Sequence, residues 1–392
     1  MNVVWLASWY PNRTSISNGD FIERHARAVA PHVQQLSVIS VVKDDALPAG
    51  IVQLEEYRDG NLLVLQAYYG AKSGGVVRKI FSQQKYRQLQ WQLYQQVVEK
   101  YGVPMLVHVH VALRAGLFAV WLKKKWGVPY VLSEHWSGYF KESQPNIYQM
   151  GWLYQQLVKR VLQHASLLLP VTRHLGQTIV DAFEQVPYHT VPNVVDTHLF
   201  TYQLAKADAF TFIHPSYMNY SKNPEGILQA CALLKEKGYS FKLLMIGNRP
   251  PALIQLATDM KLINTVVFFE DAQPYRTVAQ RMQQANALLL FSRYESLPCV
   301  VLEALCCGLP VISSRVGGIP DVIDHTNGIL IDKYAINELT DAMAQVINNY
   351  QYYNRPQIAA AAKARFSYPI VGAAIAAIYK EQAAAAHRPA SN

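Results

Sequence analysis

Two glutamates with seven residues between them, Glu295 and Glu303, are the residues whose type and spacing point most directly to chemistry. Glu295 follows a short apolar run, Ala287 to Phe291, with the length and bounds of a buried parallel strand. A helix is expected near Pro298, because a proline in the first turn lacks an N–H that would be orphaned there anyway. Val300, Val301, Ala304 and Leu305 give it an apolar face, and Gly308 stops it. Glu295 then falls at the carboxyl end of a strand, where doubly wound sheets bind ligands, and Glu303 falls about two turns into the helix. The N–H groups of residues 297–300, at the positive end of the helix dipole, would form an anion site suited to a diphosphate. A carboxylate reaching back from Glu303 would suit a hydroxyl-rich group such as a ribose. A plainer account stays open, in which Glu295 caps the helix and Glu303 faces solvent.

Beyond the helix, Pro310-Val311-Ile312-Ser313 begins the next strand, and Gly317-Gly318 with Pro320 is expected to turn the chain into another helix. Glu295, Glu303, Ala304, Gly308, Pro310, Val311, Gly317 and Gly318, in that order and spacing, resemble the nucleotide-sugar site of retaining glycosyltransferases of family 4. The resemblance implies the α/β GT-B fold, two doubly wound Rossmann-like domains facing each other across a cleft. It also implies that Glu303 binds the donor ribose and that Glu295 lies by the donor sugar and its diphosphate, with Ser296, Leu297, Pro298, Cys299 and Val300 lining the same site.

The start of the chain fits that resemblance. Residues 2–8 read as a buried strand, and SWYPN followed by GDFIERHARAVA is similar to family 4 enzymes that build bacterial surface polysaccharides. Gly19, just before the helix expected from Phe21 to Ala30, could let backbone approach a phosphate or sugar; it could equally be a plain turn glycine. No G-x-G-x-x-G follows the first strand, which argues against a nicotinamide or flavin dehydrogenase. Pro129 to Ser133 reads as a strand with Glu134-His135-Trp136 at its carboxyl end. The resemblance gives His135 a contact to the donor sugar near its 6-position; a buried structural histidine is the alternative. Val191-Pro192-Asn193-Val194-Val195-Asp196 resembles the family's segment at the domain boundary, with Val194 in place of a glycine.

In the second half, strands are expected at Phe210 to His214, Lys242 to Gly247 and Val266 to Phe269. The loop after the first of these carries Ser216 and Lys222. Family members commonly hold an arginine five residues before this lysine, both clamping the diphosphate; here Tyr217 stands in the arginine's place, and Arg249 or Arg293 could replace it. The resemblance also places Ser216 and Gly247 in the donor site. The catalytic set it implies is His135, Glu295 and Lys222.

At 392 residues the chain is long enough for two cores. The expected division is 1–198, a linker at 199–208, a nucleotide-sugar domain at 209–366, a helix at 367–384 crossing back to the first domain, and a frayed tail at 385–392. Cys231, Cys299, Cys306 and Cys307 form no C-x-x-C pair, which speaks for a reducing compartment. His108 and His110 alternate on one strand, but no third ligand at suitable spacing accompanies them, so no metal is expected. No Asp-x-Asp is present to hold a divalent ion. The opening residues lack a basic leader, and no uninterrupted apolar run of roughly 18 residues exists, so neither a signal peptide nor a membrane span is expected. The expected location is the cytoplasm.

Formal net charge is +9, with nineteen basic against thirteen acidic residues in 1–200 and seventeen against fourteen beyond. Simple solubility is one account of that surplus. The acid-free stretch between Asp59 and Glu99 offers another: in 72–98, Lys72, Arg78, Lys79, Lys85 and Arg87 interleave with aromatics, as in helices that lie on an anionic bilayer. A packed helix with its basic residues in water is the alternative. No nucleic-acid partner is expected. The functional expectation is transfer of a sugar from a nucleoside diphosphate sugar to a saccharide or lipid-linked acceptor, with retention and no cofactor beyond the donor. A nucleotide-sugar 2-epimerase of the same fold, or a non-catalytic sugar-nucleotide-binding protein, is the alternative.

Overall fold

Strands of this chain are short apolar runs, and a computed structural model shows how they are covered. The structure describes residues 1–71, 74–204 and 209–386. Lys72, part of the expected linker and most of the expected tail lie outside the described residues, as do the side chains of Val77 and Lys79.

The first half alternates β1 (Asn2–Ala7), α1 (Asp20–Val29), β2 (Gln35–Lys43), β3 (Val52–Asp59), β4 (Leu62–Tyr69), α2 (Val76–Tyr101), β5 (Leu106–His110), α3 (Gly116–Trp126), β6 (Tyr130–Glu134), α4 (Trp152–His164), β7 (Leu167–Pro170) and α5 (Arg173–Ala182). Its sheet runs β3-β4-β2-β1-β5-β6-β7 and is parallel except for β3. The second half runs β8 (Thr211–Ser216), α6 (Pro224–Glu236), β9 (Lys242–Gly247), α7 (Pro251–Asp259), β10 (Val267–Glu270), α8 (Tyr275–Gln284), β11 (Ala287–Leu290), α9 (Cys299–Cys306), β12 (Val311–Ser314), β13 (Gly328–Ile331), α10 (Ile336–Asn348), α11 (Arg355–Phe366) and α12 (Tyr368–Ala386). Its parallel sheet runs β10-β9-β8-β11-β12-β13.

Strands buried on both faces explain the continuous apolar runs. In β1, Val4 and Leu6 enter one core, while Val3, Trp5 and Ala7 enter another that α1 and α12 cover. α12 follows the second domain in sequence but packs on the first. Gly372 makes this possible, because a Cβ there would collide with the carbonyl of Ala28 in α1. Tyr379 then reaches the centre of the first sheet. It accepts a hydrogen bond from Trp5 Nε1 at 2.9 Å and donates to His108 Nδ1 at 2.5 Å, so His108 donates from Nε2 to Ser133 Oγ at 2.8 Å. The two chain crossings run side by side: Val195 N–H donates to the Phe366 carbonyl at 2.8 Å.

Several expectations need correction. β3 was not legible as a strand; it is an antiparallel edge hairpin on β4, closed by Gly60 and Asn61 and exposed along nearly its whole length. Gly317-Gly318 leads into a single 3-10 turn, Ile319–Asp321, and then β13, because too few residues remain for an α-helix. α12 keeps Ala385 and Ala386 helical, where the frayed tail was expected to begin. In α2, Tyr86, Leu89, Leu93, Tyr94 and Val97 are core residues; among its described side chains, the large apolar ones exposed are Ile80 and Phe81. Among the described residues, no helix is long and apolar enough to cross a membrane, and no group of three His, Cys, Asp or Glu is placed to hold a metal ion.

Candidate active site

The carboxyl ends of β8, β9 and β11 open toward the first domain, and the loops after them carry the candidate residues. Pro298 precedes α9 rather than opening it, and Cys299 is its first residue. Pro298 has no N–H and Val301 N–H donates to the Pro298 carbonyl at 3.1 Å, so the first amides offered are those of Cys299 and Val300, fewer than the sequence promised. Glu303 lies one turn into α9, not two, since the helix starts later than Glu295 implies.

Lys222 and Glu295 are brought together, although they stand on separate loops. Lys222 Nζ donates to Glu295 Oε1, which also accepts from Ser292 Oγ at 2.7 Å. Without a ligand, the lysine's charge is therefore held by Glu295, and an incoming diphosphate would compete for it. The glycine pair after β12 supports this loop. A Cβ on Gly317 would collide with the Glu295 carbonyl, and its φ of 55° favours glycine. Gly318 N–H donates to the Ser296 carbonyl at 2.8 Å, and a Cβ there would strike Thr172 Cγ2 of the first domain. Ser296 Oγ is buried without a partner. The Leu297 carbonyl accepts from Asn193 Nδ2 at 2.8 Å, which ties the domain-boundary segment to the same loop.

Ser216 and Gly247 pair in register at the ends of β8 and β9. The Ser216 hydroxyl, however, is spent inside the domain. His214 Nδ1 donates to the Leu289 carbonyl at 2.7 Å, so its Nε2 accepts from Ser216 Oγ at 2.9 Å. Of the two basic residues that could replace the missing arginine, Arg293 stacks on Tyr220 at 4.2 Å and donates to its carbonyl, beside Lys222. Arg249 instead faces Asp271 at 3.5 Å. Tyr217 is exposed.

The facing wall comes from the first domain. Gly19 is the left-handed residue before α1 (φ 73°), and a Cβ there would press on Trp9 and Tyr10. His135 follows β6 and packs against Phe21 at 4.7 Å and His25 at 5.6 Å, both from α1. Both His135 nitrogens are buried without a partner. Burial, and then His25, hold it well below the usual histidine range, so it is a neutral imidazole with one donor and one acceptor to offer. Beside it Glu134 accepts from Ala112 N–H at 2.7 Å and Tyr139 at 2.9 Å, and burial pushes it up to about 7.

Two residues at Glu303 had no signal in the sequence. Tyr275 of α8 donates to Glu303 Oε1 at 2.7 Å, and Arg24 of α1 lies 3.7 Å from the same oxygen. Burial raises Glu303, while Arg24 and then Tyr275 draw it back. Glu303 is thus buried and bonded rather than solvated.

Family models match both halves: the glycosyl transferase 4-like domain over residues 24–194 and glycosyl transferases group 1 over residues 200–363. The chain belongs to family 4 of the glycosyltransferases. This family 4 chain is 31% identical over 144 residues to the N-acetyl-alpha-D-glucosaminyl L-malate synthase of Bacillus anthracis, covering 36% of this chain and 37% of that one. It is 26% identical over 318 residues to the D-inositol 3-phosphate glycosyltransferase of Saccharomonospora viridis, covering 71% and 70%. Its matched span is thus little more than a third of the first relative's length. In fold it resembles the sucrose-phosphate synthase of Thermosynechococcus elongatus, with a TM-score of 0.79, 17% identity and coverage of 98% and 100%. It also resembles HepE of Anabaena in complex with UDP-glucose, with a TM-score of 0.69, 16% identity and coverage of 97% and 100%. These likenesses establish the GT-B fold.

Proposed function

We propose that this chain moves a sugar from a nucleoside diphosphate sugar to a saccharide or lipid-linked acceptor, with retention at the anomeric carbon, in cell-surface polysaccharide or glycan biosynthesis. One observation carries the reading: Lys222, Glu295 and the start of α9 meet on one wall of the cleft, with Glu303 one turn on. The donor lies on the second domain and the acceptor on the first. Departure of the diphosphate is the costly event. Lys222, released from Glu295, and the amides of Cys299 and Val300 stabilise it as fixed positive charge, without a metal ion. Glu303 accepts from the ribose. His135, neutral across the cleft, offers its free nitrogens to a hydroxyl of the donor sugar. The relative named as an inositol phosphate glycosyltransferase supports glycosyl transfer, and the neighbour holding UDP-glucose supports a nucleoside diphosphate sugar as donor. No nucleic acid and no cofactor besides the donor enters the reading.

A lipid-linked acceptor would bring the protein to the inner face of the plasma membrane. Ile80 and Phe81, exposed near the start of α2 among Arg78, Lys85 and Arg87, are the side chains that would enter the headgroup layer. Sedimentation with anionic liposomes at low salt should carry the protein down, and Phe81→Ser should reduce the bound fraction.

The primary test is a thermal-shift panel with UDP, GDP, ADP and their sugar conjugates, because a ligand of the folded state raises the midpoint. One base should give a shift, Glu303→Ala should abolish it, and acceptor should trigger release of the nucleoside diphosphate. A well-folded protein that responds to none of them would overturn the reading.

A further inference from the structure

Arg24 is the least expected charge in the cleft. It stands on α1, in the domain opposite Glu303, and is only 8% exposed. Its Nη1 lies 3.1 Å from Asp20 Oδ2 and 3.7 Å from Glu303 Oε1, and its guanidinium sits 4.8 Å above the ring of Tyr275. Its Nε is buried with no partner at all. A buried guanidinium left partly unsatisfied is costly unless the site uses it. The contacts of Arg24 and Tyr275 to Glu303 both fall on Oε1, and neither engages Oε2.

We propose that Arg24 is a positioning residue for the donor, acting from the opposite domain through Glu303. It opposes protonation of the buried carboxylate and pins Oε1, so that Oε2 is presented to the vicinal hydroxyls of the nucleotide ribose. This rests on the reading that Glu303 holds the ribose. Its consequence is that donor affinity depends on closure, because opening the cleft withdraws Arg24 and leaves Glu303 to take up a proton. The groups facing Glu303 are Arg24 and Asp20 from α1, Tyr275 from α8, Cys299 and Cys306 on its own helix, and Cys307 just after it. Arg24 is the cation among them.

The test is equilibrium binding of UDP, GDP and ADP to wild type, Glu303→Gln, Arg24→Gln, Arg24→Lys and the double variant, across pH. Arg24→Gln should weaken nucleotide binding roughly tenfold or more, since it strips a buried carboxylate of its charge partner. The loss should deepen as pH falls, because Glu303 without Arg24 is protonated at higher pH than in wild type. Arg24→Lys should restore part of the affinity and the wild-type pH profile; it also serves if Arg24→Gln does not fold. The double variant should bind no more weakly than Glu303→Gln alone. Wild-type affinity in Arg24→Gln, an unchanged pH profile, or losses that multiply in the double variant would overturn the proposal while leaving Glu303 as a ribose ligand. Unchanged binding in Glu303→Gln would instead overturn the ribose reading and this proposal with it.

Discussion

Acidification should unfold this protein through its buried histidines, and the size of the effect can be worked from the structure. Burial pushes His25 and His214 down to about 4, and pushes His108, His110 and His135 well below the usual histidine range. The unfolded chain binds these protons from near 6.5 downward while the folded chain refuses them, so stability falls as pH drops from 6.5 toward 4. Between about pH 7 and about pH 5, His25 and His214 each remove about 2 kcal/mol. Glu134 works in the other direction. Burial raises it to about 7, so the folded state keeps a proton that the unfolded state sheds above 4.5, which returns about 2 kcal/mol over the same interval. Glu303, which burial also raises, acts in the same direction as Glu134; the two histidines outweigh Glu134, and the remaining three outweigh Glu303. The expected result is a loss of about 2 kcal/mol or more in urea-unfolding free energy between about pH 7 and about pH 5. His214→Gln, which removes one titration, should lose about 2 kcal/mol less over that interval. Equal or higher stability at the lower pH, or an unchanged slope in the variant, would refute the reasoning.

Three further predictions follow from contacts between elements far apart in sequence. Tyr379→Phe strands Trp5 Nε1 and His108 Nδ1 in the core and should cost about 2–4 kcal/mol in denaturant unfolding. Lys222→Met should lower kcat about 100-fold, measured as acceptor-dependent nucleotide release, with little change in the melting midpoint. Gly318→Ala should press the two domains apart at Thr172 and cost roughly 1–3 kcal/mol. Thr172→Ser, which keeps the hydroxyl capping α5 but removes Cγ2, should recover part of that loss in the same unfolding assay.

Much of the fold was legible because parallel strands buried on both faces have to be largely apolar, as Ala287 to Leu290 and Val3 to Ala7 are throughout. β3 escaped because its side chains face water, so burial imposed no pattern on them; the Asp59-Gly60 pair before β4 was the signal available. The aromatics of α2 looked like a surface device, but most are core: a helix lying on a sheet buries Tyr86, Leu89 and Leu93 at the spacing an interfacial helix would also show. At the site, Glu295 and Glu303 stood out through spacing and Lys222 through the family resemblance, and the fold unites Lys222 with Glu295. Arg24 and Tyr275 carried no signal, because Arg24 reaches Glu303 only after the two domains have met and Tyr275 only once α8 and α9 pack within the second domain, and no local pattern encodes either encounter.

The return of α12 to the first domain also sets an order of events during synthesis. Val371, Ile375 and Tyr379 belong to the core that β1 begins, so that core is incomplete until α12 has left the ribosome. The second domain's sheet and helices are finished sooner, although they are made later than the first sheet. Until α12 arrives, Trp5, His108 and the apolar face of α1 wait uncovered, which makes the nascent first domain the client on which chaperones would act. Native structure here closes from the last helix inward, and a ribosome stalled before that helix would hold a first domain unable to finish folding.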